Sequence, residues 1–167
     1  MKQLLLPLLG ATAFIIIVGL LFGGSQKGSG LFQTGAPSPT TGPKTIQIGT
    51  LTLKITLAET QEKRQQGLSS VASLAQDTGM LFIFEKKGVT PSFWMKGMLI
   101  PIDIIWIKDG KISQIDKNIQ PPDKYTPDAG LKLYKPGAPI DYVLEVNAGM
   151  ADKNNLKVGD KVDLSGI

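Results

Sequence analysis

From Thr45 onward the apolar residues come in runs of strand length, each bounded by turn residues. No stretch repeats at helical period for more than two turns. Thr45-Ile-Gln-Ile48 and Leu51-Thr-Leu-Lys-Ile-Thr-Leu57 alternate apolar and polar residues, the period of a strand with one buried face. Gly49-Thr50 between them fits a two-residue hairpin turn. Met80–Phe84 and Ile102–Ile107 carry little polar relief, so both predict strands buried on two faces. Asp109-Gly110 predicts a type I′ hairpin into Lys111–Asp116. Tyr142–Val146 reads as a further strand, and Val158–Val162 as a turn and strand. Pro91–Met95 should be extended.

The helical signals are short. Thr60 can cap Gln61–Gln66, which Gly67 ends. Ser70 can cap a turn over Val71–Ala75, and Ala148–Asn155 reads as another short helix. Asn118–Pro139, with five prolines, should be mostly irregular. Such helices cannot supply the long crossovers of a doubly wound parallel sheet. The expected fold is mainly β (α+β): a compact antiparallel sheet, partly closed or a small barrel, with short helices.

The first 44 residues differ in kind. Leu4–Phe22 carries no charge, and as a helix it would span about 29 Å, near the roughly 30 Å of a bilayer core. Lys2 precedes it, so the positive-inside bias puts the N-terminus in the cytoplasm and the body outside. A cleaved signal peptide fits less well: the apolar run is long, and Gly23-Gly24-Ser25 is a poor cleavage site. Residues 23–44 are mainly Gly, Ser, Pro and Thr and read as a linker. The expected organisation is an anchor over residues 1–22, a linker over 23–44 and one globular domain over 45–167. The expected location is the cell membrane, single-pass, with an extracytoplasmic, monomeric body.

Composition excludes several chemistries. Cysteine and histidine are both absent, which removes disulfides, thiolate nucleophiles, serine–histidine dyads and the usual zinc ligands. The formal charge is +4, but three of the eighteen basic residues and none of the fourteen acids precede residue 45. The body is therefore near +1 and lacks the basic face that phosphate backbones require. No nucleic-acid partner is expected. Met80, Met95, Met98 and Met150 could offer thioethers to Cu(I), but methionine more often fills cores. Neither a metal nor a cofactor is expected.

Arg64, Asp103 and Glu145 are the polar residues with the strongest claim to partial burial. One reading has Arg64, the only arginine, bridging both acids and fixing its helix to the sheet, so that losing Arg64 costs more stability than losing either acid. The other makes Asp103 and Glu145 a catalytic acid–base pair. In Phe93-Trp-Met-Lys96, strand alternation would send Phe93 and Trp94 to opposite faces. Trp94 could then serve as a stacking platform, with Met95 and Lys96 beside it.

Five motifs in order carry a family resemblance: Arg64-x-x-Gly67-Leu68; Gly79-Met-Leu-Phe-x-Phe84; Phe93-Trp-Met-Lys96 with Pro101-x-Asp103; Val143-Leu-Glu145 with Ala148-Gly149; and Gly159-Asp160-x-Val162. Over about Ile46–Leu164 the chain resembles the domain of unknown function 192 family. The resemblance implies a small, β-rich prokaryotic protein, often exported or membrane-attached, and no assigned activity. The family's usual Asn-Thr after the lysine is Gly97-Met98 here. Two functional readings follow. The first is a membrane-tethered extracytoplasmic ligand-binding or accessory module with Arg64, Trp94, Met95, Lys96, Asp103 and Glu145 at its site. The second is an envelope hydrolase using Asp103 and Glu145.

Overall fold

The computed structural model describes residues 43–167. The expected anchor (residues 1–22) and nearly all of the expected linker (23–44) lie outside the described residues. Among the described residues, no helix is long and apolar enough to cross a membrane.

The alternating runs form the strands that they predict. β1 (Thr45–Ile48) turns through Gly49-Thr50 into β2 (Leu51–Ala58), with Ile48 opposite Leu51. Thr60 caps α1 (Gln61–Gln66), its hydroxyl accepting the Lys63 N–H at 3.2 Å. The helix ends at Gly67, and the chain enters β3 (Thr78–Ile83), parallel to β2. β4 (Ile102–Lys108) and β5 (Lys111–Ile119) form a hairpin about Asp109-Gly110. Both turn residues have positive φ, 49° and 67°, as a type I′ turn requires. β6 (Tyr142–Asn147), α2 (Met150–Lys153) and β7 (Val162–Gly166) complete the chain.

The seven strands form one sheet in the order β5-β4-β6-β3-β2-β1-β7. Its pairs are antiparallel except β2–β3. The sheet curls into a half-barrel. At one end its edges meet: the Val162 N–H donates to Gly110 O and the Ile112 N–H to Asp160 O. Ile46, Leu53, Leu81, Ile105, Leu144 and Val146 pack on the inner face, where α2 contributes Met150 and Ala151. Phe82, Ile104, Trp106, Ile119 and Val143 pack on the outer face with Leu68, Met95 and Met98 from the connections. Burial on both faces accounts for the nearly unbroken apolar runs of β3 and β4.

Two local expectations are corrected. Val71–Ala75 forms no helix; Asn147 Nδ2 instead donates to Leu74 O at 2.9 Å and tacks this irregular segment onto β6. Pro91–Met95 is not a strand, because only Phe93 finds a partner, in an isolated bridge to Tyr134. The long segment before β6 is irregular apart from a 3-10 turn at Asp128–Gly130.

Candidate functional site

Three acidic side chains are buried: Asp103, Asp141 and Glu145. Two are fully engaged. Asp103 Oδ1 accepts the N–H groups of Asn118 (2.8 Å) and Gly149 (3.1 Å), and Oδ2 accepts that of Ala151 (2.9 Å). A carboxylate satisfied in this way ties β4 to the end of β5 and to the start of α2. Asp141 takes the N–H groups of Gly88 and Asp109 and the Lys108 ammonium at 3.0 Å. Burial alone would raise its pKa; the Asp109 N–H, Lys108 and the Gly88 N–H outweigh burial and hold it below the usual value.

Glu145 differs. It is 4% exposed, and its Oε2 is buried without a hydrogen-bond partner. Burial pushes its pKa from 4.5 to about 8, because a low-dielectric surrounding disfavours the charged form. The acid is therefore mostly protonated at neutral pH.

Glu145 lies in a cleft of about 330 Å³ on the outer face of the sheet, between α1 and the 91–98 segment. Phe82, Phe84, Phe93, Leu68 and Met98 line it, and Arg64, Trp94 and Lys96 contribute to the same walls. Phe93 turns inward, edge-on to Phe82 at 4.8 Å and to Trp106 at 5.5 Å between ring centroids. Trp94 is 46% exposed. Lys96 lies 6.0 Å from the Trp94 ring centroid and forms an ion pair with Asp128.

Gly67 ends α1 beside the acid. Its φ of 51° and ψ of −136° suit glycine alone. A Cβ there would stand 3.4 Å from Phe82 Cζ and 3.8 Å from Glu145 Oε2.

Arg64 bridges neither acid, contrary to expectation. Its Nη1 donates to Glu59 O and Ile83 O, both at 2.9 Å, and the guanidinium lies 5.8 Å from the Phe84 ring centroid. It fixes α1 to the end of β3 through backbone carbonyls and forms no ion pair with a described acid.

The expected Asp103–Glu145 pair is also corrected. In the β4–β6 register Asp103 stands opposite Val146 and Ile104 opposite Glu145. Directly opposed residues share a face and neighbours along a strand alternate. Asp103 therefore points into the inner core with Val146, and Glu145 to the outer face with Ile104.

Of the six residues expected at the site, Arg64, Trp94, Lys96 and Glu145 line one cleft, while Asp103 and Met95 do not. Met95 is buried and borders a separate depression with Pro121 and Tyr134. Sequence reasoning missed Phe82, Phe84, Leu68 and Met98 as walls. Their apolar character reads simply as core; Leu68, Phe82 and Phe84 stand within the motifs quoted above, the one signal that could have found them. Met98 makes its part of the wall apolar. Met95 and Met98 lie in the outer core and Met150 in the inner one, which separates Met150 from the other two thioethers. Among the described residues no cluster of three or more acidic side chains could hold a metal ion.

The profile of DUF192, described as an uncharacterized ACR, matches residues 44–164. Two solved structures are similar. One, from Sinorhizobium meliloti, is provisionally named a transcription regulator; it is 29% identical, with a TM-score of 0.64, over 74% of this chain and 92% of that one. The other, from Novosphingobium aromaticivorans, is a protein of unknown function. It is also 29% identical, with a TM-score of 0.62, over 78% of this chain and 94% of that one. No curated protein matches.

Proposed function

We propose that this chain, which belongs to the domain of unknown function 192 family, is a small-molecule binding module tethered at the outer face of the cytoplasmic membrane. The ligand would occupy the Glu145 cleft. One observation carries this reading: a carboxyl group 4% exposed, with an unpartnered oxygen, in a cleft that Phe82, Phe84 and Phe93 help to line. A buried polar atom without a partner costs about 1–3 kcal/mol, and a ligand that hydrogen-bonds to it recovers part of that cost. A concave site that sets polar groups beside aromatic and aliphatic walls is a usual form of small-molecule pocket.

The two-carboxylate hydrolase is the weaker alternative. Its acid and base would have to act on one bond, and the sheet separates Asp103 from Glu145. The provisional name of the Sinorhizobium relative suggests nucleic-acid binding, but the near-neutral body argues against that here. The α-helices among the described residues, of six and four residues, are also too short to read a major groove. The tether rests on the uncharged Leu4–Phe22 run behind Lys2.

Binding is tested by ligand-detected NMR on the full chain in detergent, with a fragment library spanning anionic, neutral and cationic members. Fragments should bind the wild type and be displaced in Gln65→Trp, which fills the cleft from the exposed face of α1. Absence of binding, or binding indifferent to that substitution, refutes the reading. Protease added to intact spheroplasts should digest the body; protection until lysis would refute the orientation.

A further inference from the structure

The ligand's chemistry can be narrowed, resting on the proposed binding role of the cleft. Arg64 is held in place by two backbone carbonyls, both taken by Nη1. A guanidinium carries five N–H donors, so three remain, on Nε and Nη2, and none of these has a protein partner among the described residues. A pinned guanidinium with a free fork at a cleft wall is suited to a planar anion. Glu145, on the same cleft, is the group that would ordinarily repel an anion. Its burial keeps it protonated and able to donate. The site thus offers a fixed cation at one point and a neutral O–H donor at another, with Phe93, Phe84 and Met98 on the walls of the same cleft.

We infer that the cleft takes a small organic carboxylate with a flat apolar middle and a carbonyl or hydroxyl oxygen at its far end. The carboxylate would lie on the Arg64 fork, the middle against Phe93 and Met98, and the distal oxygen would accept the Glu145 proton. Lys96 adds positive charge at the Trp94 side, tempered by its pair with Asp128.

Proton linkage follows from the same arrangement. Arg64 and Lys96 are the other charged groups lining the cleft. β3 carries no titratable residue. On β4, Asp103 points to the opposite face, and Lys108 at the strand's end is bonded to Asp141. On β6, Tyr142 alternates away from Glu145. Glu145 is thus the one carboxyl group lining the cleft, and its burial brings its ionisation to about pH 8. Once ionised it loses its donor and faces the ligand as a like charge, so affinity falls as pH rises.

The test uses the full chain in detergent and three probes of one shape: 4-acetylbenzoate, the neutral 4-acetylbenzamide and the cationic 4-acetylbenzylamine. At pH 6 the benzoate should bind about tenfold or more tighter than the amide, with the amine weakest. Arg64→Gln should collapse the benzoate-to-amide ratio. Arg64→Lys, which keeps the charge and can still reach the carbonyls, should lower the ratio without abolishing it. Raising the pH from 6 to 9 should weaken the benzoate by about tenfold, and Glu145→Gln should remove that dependence. Preference for the amine or the amide overturns this inference and leaves the binding role standing. A preference for the benzoate that both Arg64 variants retain also overturns it. Failure of all three probes, and of the fragment library, overturns both.

Discussion

Glu145→Gln should stabilise the protein at alkaline pH and do little in acid. The unfolded chain releases the Glu145 proton near pH 4.5, and the folded protein holds it to about pH 8. Between those values the unfolded state binds fewer protons than the native state, so stability falls with rising pH. The contribution of the neutral acid is fully present below about pH 4.5 and is lost by the time the pH passes 8. A span of about 3.5 pH units at 1.36 kcal/mol each is about 5 kcal/mol, and an uncertainty of one unit makes it roughly 3–6 kcal/mol. Glutamine has nearly the shape of the protonated acid and cannot ionise. Urea melts of wild type and variant at whole pH values from 5 to 9 measure the difference. The wild-type midpoint should fall steadily relative to the variant's, and the curves should run parallel again above about pH 9. Parallel curves from pH 5 to 9 would mean that Glu145 ionises at its ordinary pKa. The account of a neutral acid in the cleft would then be wrong.

Asp103→Ala should destabilise more than Arg64→Ala, by about 3–5 kcal/mol against about 1–2 kcal/mol in urea melts at pH 7. The first leaves the buried Ala151 N–H and the part-buried Asn118 and Gly149 N–H groups unpaired; the second frees two carbonyls near the surface. Equal losses would show that the Asp103 bonds are replaced by water. Gly67→Ala should cost about 1–3 kcal/mol from its backbone conformation, read as a drop in Tm, and an unchanged Tm would contradict the positive-φ geometry at the end of α1. Asp141, whose folded pKa is depressed, stabilises the protein above pH 4 and loses that contribution as the pH falls through the folded pKa. Asp141→Asn should therefore flatten the acid limb of the stability curve, and an unaltered limb would assign acid unfolding to other groups.

The local parts of the fold were legible because their determinants are local. Thr60 and Gly67 delimit α1 through their own hydroxyl and backbone preferences. Gly49-Thr50 and Asp109-Gly110 turn the chain through φ values that few other pairs adopt. Val71–Ala75 misled because Ser70 offers a plausible cap, whereas its own φ is 64° and Asn147, remote in sequence, holds the segment open. Pro91–Met95 looked like a strand by composition. Proline at its start and a single bridge partner leave it as a wall of the cleft instead.

The acids show where local reading stops. Alternation places Asp103 and Glu145 each on one face of its own strand, and a strand buried on both faces gives no apolar–polar contrast to say which. Their relation then depends on the β4–β6 register, a contact between segments about forty residues apart. Because side chains alternate with a period of two, a slip of one residue would move Glu145 to the Asp103 side. Gly79 helps to fix the neighbouring β3–β6 pairing. A Cβ at that position would stand 2.9 Å from Glu145 O and 3.0 Å from Val146 Cγ1, so β6 can lie there only against glycine. The motif Gly79-Met-Leu-Phe and the motif Val143-Leu-Glu145 are therefore two halves of one contact. That contact sets the strand on which Glu145 reaches the cleft, while Asp103 is left to bind backbone.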